Sequence, residues 1–123
     1  MDQAKYVRAA RTIHATNMPK IGAWPFLGGR RTIRSLAKAA RQIETELRAL
    51  EPPEPDREAL EEHFILPWSE HARFLEAMAD APTPRWLGSL GAINYVFEAP
   101  GSPRHRPEDV EFCRAHGLDG CRA

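Results

Sequence analysis

The sequence predicts an all-α protein, a compact bundle of about five helices, and three observations carry that prediction. Ile33, Leu36, Ala40, Ile43, Leu47 and Leu50 recur alternately three and four positions apart, the spacing that lines one side of a helix with apolar side chains. A second run, Leu60, Phe64, Trp68, Ala72, Leu75 and Met78, keeps the same period. Between the two, Glu51-Pro52-Pro53-Glu54-Pro55 cannot continue a helix, because proline has no N–H to donate and its ring blocks the turn before it. A seam of this kind must face another helix.

The remaining elements are marked by local signals along the chain. Asp2 is placed to cap a first helix through about Thr16, in which Tyr6, Val7, Ala10 and Ile13 share a face, and Met18-Pro19 ends it. Residues 17–29 are rich in Pro and Gly but also hold Ile21, Trp24, Phe26 and Leu27, so a packed loop is expected rather than a flexible linker. The seam then defines a helix from about Arg31 to Leu50. Asp56 stands where an N-cap belongs, with Glu58 near the positive end of a helix that runs toward Met78. Pro67 interrupts that run, either kinking it or opening a new first turn.

Thr83-Pro84 repeats the cap-then-proline signature, and Trp86, Leu90, Ile93 and Phe97 come after it at helical spacing. A strand over 93–98 is the rival, since Ile-Asn-Tyr-Val-Phe favours a sheet, but the sequence offers it no partner strand. Pro107 through His116 form a last helix, with acids at its positive end and Gly117 just beyond it.

At 123 residues, 42% hydrophobic and 28% charged, the chain fits one helical domain over 1–123 that buries roughly two thirds of its unfolded surface. The apolar stretches Trp24–Leu27 and Phe64–Trp68 are broken by proline and fall far short of the roughly 18 residues that cross a bilayer. No membrane partner is expected. Met1 is followed by Asp2 without a basic-then-apolar leader, from which a cytoplasmic location is expected.

Seventeen Lys and Arg balance seventeen Asp and Glu, but unevenly along the chain. Residues 1–50 carry ten bases against three acids, and residues 51–80 carry nine acids against two bases. Such a dipole presents a basic face to phosphate or to an acidic protein, and an acidic face that repels nucleic acid. The alternative is that the two segments pack as neighbours and neutralise each other.

Two constellations can carry chemistry. Gly28-Gly29-Arg30-Arg31-Thr32 leads into a helix N-terminus, where free N–H groups and guanidinium groups can hold a phosphate. Arg34, Lys38 and Arg41 continue that basic stripe at helical spacing, making these five residues the candidate partner- or phosphate-binding set. Near the other end, Cys113, His116 and Cys121, with His105 as a fourth, are suited to zinc. The spacing lacks the paired Cys-x2-Cys knuckle of strong zinc sites, so two reduced thiols are the first expectation, with zinc and then a Cys113 to Cys121 disulfide behind it. His63 and His71, eight apart, read as helix-surface groups beside Glu62 and Glu70 in preference to a metal or acid/base pair, His14 as lying at the edge of the first helix's apolar face, and Trp24, Trp68 and Trp86 as core or groove-lining residues.

Catalytic signatures are missing: no His-Glu-x-x-His, no Gly-x-Ser-x-Gly, no Walker or dinucleotide loop. The sequence therefore points to a non-enzymatic adaptor or inhibitor that docks on a protein partner through a charged helical face. A small regulator of a nucleic-acid-handling machine, of the kind phages and mobile elements supply, fits this class. Direct nucleic-acid binding by the basic half is the second expectation, and a zinc-stabilised domain or enzyme the third.

Overall fold

The computed structural model describes residues 2–17, 30–80 and 106–118, and every element among them is helical. In chain order these are α1 (Gln3–Asn17), α2 (Arg30–Ala49), a 3-10 turn (Glu54–Asp56), α3 (Arg57–Leu60), a π-helical turn (Glu61–Ile65), α4 (Leu66–Asp80) and α5 (Pro107–His116). From α3 through α4 the chain keeps helical dihedrals at each junction. Taken as one rod, that run leaves four helices among the described residues rather than five. The expected helix from Thr83, and the rival strand over 93–98, lie outside the described residues.

Pro67 shows why the rod does not break. A proline ring crowds the carbonyl four residues before it and donates no hydrogen bond. Here the Leu66 N–H bonds the carbonyl of Glu61, five residues back. That widened turn immediately precedes the proline and absorbs it, leaving Pro67 in the first turn of α4. The extra residue also changes the face: Phe64 and its neighbour Ile65 are both buried, as are Trp68 and Ser69.

The core lies between α2 and the α3–α4 rod, which make the most extensive contact among the described residues. Ile33, Ala37, Ala40, Ile43 and Leu47 on α2 meet Leu60, Phe64, Trp68, Ala72, Leu75 and Ala79 across it. Small alanines on both sides let the two backbones approach closely. Leu36, Leu50 and Met78 are half-buried at its margins. The ion pairs Arg41–Glu76 and Arg48–Glu61 fix the two helices as antiparallel, since the higher residue of one meets the lower of the other.

α1 adds Tyr6 and Ala10 to this core, and α5 adds Cys113 and, just past its end, Leu118. As expected, Asp2 caps α1: its Oδ1 accepts the Lys5 N–H at 2.8 Å. That backbone bond holds the Asp2 carboxyl below its ordinary range. At the other end, buried Asn17 donates to the Ile13 carbonyl at 2.8 Å and to the Glu46 carboxylate, tying α1 to α2.

Asp56 departs from expectation. It precedes α3 but makes no capping hydrogen bond, because the 3-10 turn before it leads directly into the helix and leaves its φ and ψ at −108° and 4° rather than in the extended region a cap requires. α5 closes as expected. Gly117 takes φ 70°, and the Leu118 N–H returns to the Cys113 carbonyl at 2.9 Å, the six-to-one bond of a helix that ends on a left-handed residue.

Candidate functional site

The outer face of α2 divides into two halves of different character. Toward its C-terminal half the cations are neutralised. Arg41 pairs with Glu44 and with Glu76 on α4, and Arg48 pairs with Glu44 at 3.1 Å and with Glu61 at 2.7 Å. Glu44 is the centre of this ladder and is buried. Burial pushes its carboxyl up, but hydrogen bonds from Arg41, Arg48 and Ser69 outweigh that and hold it below the ordinary value. The packing of the basic and acidic segments as neighbours, one of the two arrangements the charge pattern allowed, is thus realised here.

Toward the N-terminal half the picture reverses. Arg34 and Lys38 are exposed, and among the described residues neither takes part in an ion pair. Arg30 and Arg31 lie in the first turn of α2, with their side chains outside what the structure describes. Of the five-residue stripe, then, Arg34 and Lys38 stand in solvent. Arg41 does not belong with them, because the antiparallel rod brings Glu76 to it.

A second cluster joins α5 to the π turn. Asp109 is 2% exposed and accepts hydrogen bonds from two directions. Arg106 donates Nε to Oδ2 and Nη2 to Oδ1, both at 3.0 Å, and the His63 Nδ1–H donates to Oδ1 at 2.8 Å. Burial raises the Asp109 carboxyl, and the Arg106 and His63 hydrogen bonds more than reverse it. The His63 ring lies 5.3 Å from that of Phe112, which stacks on His116 at 4.1 Å. His116 donates Nδ1–H to the Phe112 carbonyl at 2.8 Å and turns Nε2 toward Asp56, 3.8 Å away. This is a docking cluster: it orders α5 against the rod.

Of the zinc set only Cys113 and His116 lie among the described residues, where no group of three or more His, Cys, Asp or Glu side chains is arranged to hold a metal. His105 and Cys121 lie outside the described residues. Cys113 is buried and disulfide-bonded, which corrects the expectation of reduced thiols. A sulfur held in a disulfide is not a thiolate, the form that binds zinc.

The sequence reading missed Asp109, Arg106 and Glu44 as members of ionic clusters between helices. Glu44 carried a signal, since it sits beside Ile43 within the buried arc of the seam. Asp109 carried none beyond its place in a first helical turn. His63 and His71 do not act as a pair: His63 faces Asp109, while His71 meets the edge of Trp68 with ring centroids 6.2 Å apart. His14 approaches the same indole at 5.8 Å. Compared with protein-family models, with curated proteins and with solved structures, the chain matches none.

Proposed function

We propose that the chain is a non-enzymatic adaptor or inhibitor that binds a larger protein partner through the basic half of α2, with Arg34 and Lys38 as contact residues and Arg30 and Arg31 continuing the stripe in sequence. One observation supports this reading above others: Arg41, Arg48, Arg57, Arg106 and Arg114 are each joined to a carboxylate, whereas Arg34 and Lys38, one turn apart on α2, have no such partner among the described residues, as is also true of the exposed Lys5, Arg8 and Arg73. Exposed cations at the rim of an interface steer an acidic partner and fix its register. The interior ionic clusters, by contrast, join helices of the same chain.

Affinity capture on the wild-type chain and on Arg34→Glu/Lys38→Glu, each with and without nuclease, tests the proposal. The expected result is a partner that survives nuclease, is retained by the wild type and is lost from the double variant. A partner lost on nuclease treatment identifies nucleic acid as the bridge and favours direct nucleic-acid binding instead. A partner retained equally by both proteins overturns the assignment of this face.

A further inference from the structure

The rod that neutralises the C-terminal half of α2 has an outer face of its own. Glu58, Glu62, Leu66 and Glu70 are exposed and recur four apart, and Leu66, 37% exposed, is a large apolar side chain left in solvent between two acids. The ridge continues past Arg73 to Ala77 and Asp80. Its complement is already in the molecule. On α2, Arg34 and Lys38 lie four apart and exposed, and on α1, which packs against α2, Lys5 and Arg8 are exposed as well. Both stripes point away from the core their helices share, so one copy cannot bring them together.

We infer that the Glu62–Leu66–Glu70 ridge is a docking surface for the Arg34–Lys38 stripe of a second copy of this chain, so that copies associate head to tail. The chemistry favours this occupant on two counts. The stripes match in sign and in helical spacing, so two parallel or antiparallel helices can align acid with base at each turn. The formal net charge is zero, so copies meet without the long-range repulsion that keeps a charged protein monomeric. Leu66 gives the contact an apolar centre that charges alone lack. Because the two surfaces differ, the contact is heterologous and leaves one unfilled face of each kind at the ends of an assembly. Both contacts use Arg34 and Lys38, so on any one copy they exclude each other, whereas only self-association uses the Glu62–Leu66–Glu70 ridge: a chain that self-associates and captures nothing, or the reverse, distinguishes the two.

Sedimentation velocity on the full chain, together with two charge-reversed variants, tests it. The expected result for the wild type is a mass that rises with concentration at about 0.01 M salt, where the Debye length is about 30 Å, and falls to that of a monomer at about 1 M, where it is about 3 Å. Arg34→Glu/Lys38→Glu presents two acidic faces and Glu62→Lys/Glu70→Lys two basic ones, so each alone remains monomeric. Mixed in equal amounts they associate again, since the acidic ridge of one meets the basic stripe of the other. A wild type that stays monomeric at low salt overturns the inference, as does a reversed variant that associates by itself or a mixture that does not. Far-ultraviolet circular dichroism monitors folding throughout. If a reversed variant loses helicity, Arg34→Gln/Lys38→Gln and Glu62→Gln/Glu70→Gln replace it, each expected to weaken association about tenfold, what two exposed ion pairs supply between them. Association unchanged in both neutral variants would count equally against it.

Discussion

His63 and Asp109 are separated by 46 positions in the chain and meet at 2.8 Å, the imidazole Nδ1–H donating to a carboxylate that is almost wholly removed from solvent. The bond joins the π turn to the first turn of α5, and Arg106, at the start of that helix, completes it. A buried carboxylate remains ionised only where donors surround it. Asp109 therefore commits α5 to one position on the rod.

Acid should unfold the protein through Asp109 and Glu44. Both carboxyls are held below their ordinary values in the folded chain, so the stability they contribute is present above the unfolded carboxylate pKa of about 4 and is lost as pH falls through the lower folded value. Thermal unfolding is expected to be flat from about pH 7 to pH 5 and to weaken below about pH 4. Asp109→Asn should cost roughly 1 to 3 kcal/mol at neutral pH and make the acid limb shallower. An unchanged acid limb in this variant would show that Asp109 is not ionised in the fold.

Leu47 is 1% exposed in the last turn of α2, toward the end of its seam. Leu47→Ala removes buried methyl groups and leaves a cavity, for an expected loss of roughly 2 to 5 kcal/mol in denaturant unfolding. A loss within measurement error would place the seam at the surface.

Tyr6 is equally buried, but its hydroxyl has no hydrogen-bond partner among the described residues. Burial, with the nearby Glu61 carboxylate adding to it, pushes its pKa up to about 12. Spectrophotometric titration should show a tyrosine that resists ionisation until about that pH. The sign for stability is the reverse of that for the carboxylates: the contribution is intact below the unfolded tyrosine pKa of about 10 and is lost as pH rises through the folded value. Tyr6→Phe removes a desolvated hydroxyl without removing a bond, so it should be neutral or stabilising by about 1 kcal/mol, and it should abolish the late titration.

Gly117 ends α5 at φ 70°, and a Cβ built there meets Arg11 Nη2 at an ordinary 3.7 Å. The cost of Gly117→Ala is thus conformational rather than steric, roughly 1 to 2 kcal/mol. Arg11 donates Nε and Nη2 to the Gly117 carbonyl at 3.1 and 2.8 Å, so that variant should also expose α5 amides to faster hydrogen exchange. Equal stability and exchange in the variant would mean that the left-handed cap is not needed.

The helices were legible because their determinants are local. The three-four spacing of the α2 seam, Asp2 three residues before the N–H it caps, and Pro107 and Gly117 at the two ends of α5 act within a turn or two of chain, and these three helices formed within a residue or two of the expected bounds. The π turn was less legible: Pro67 marked a disturbance, but an i to i−5 bond can replace a kink without a sequence signature of its own.

Chain order alone determined the helices seen among the described residues, which of their faces are apolar and that bases precede acids. Local pairs such as Arg41–Glu44 and Arg106–Asp109 follow from spacing along one helix, but only the tertiary structure decided which charges pair between helices. Arg34 and Arg41 are two turns apart on one stripe and alike in sequence, yet only Arg41 comes opposite a carboxylate when α4 runs back along α2. The same holds for His63, whose partner arrives from a helix far along the chain. A side chain's chemistry is written at its own position, whereas its pairing across helices depends on what another element carries to within about 4 Å of it, and that distance exists only once the helices have packed.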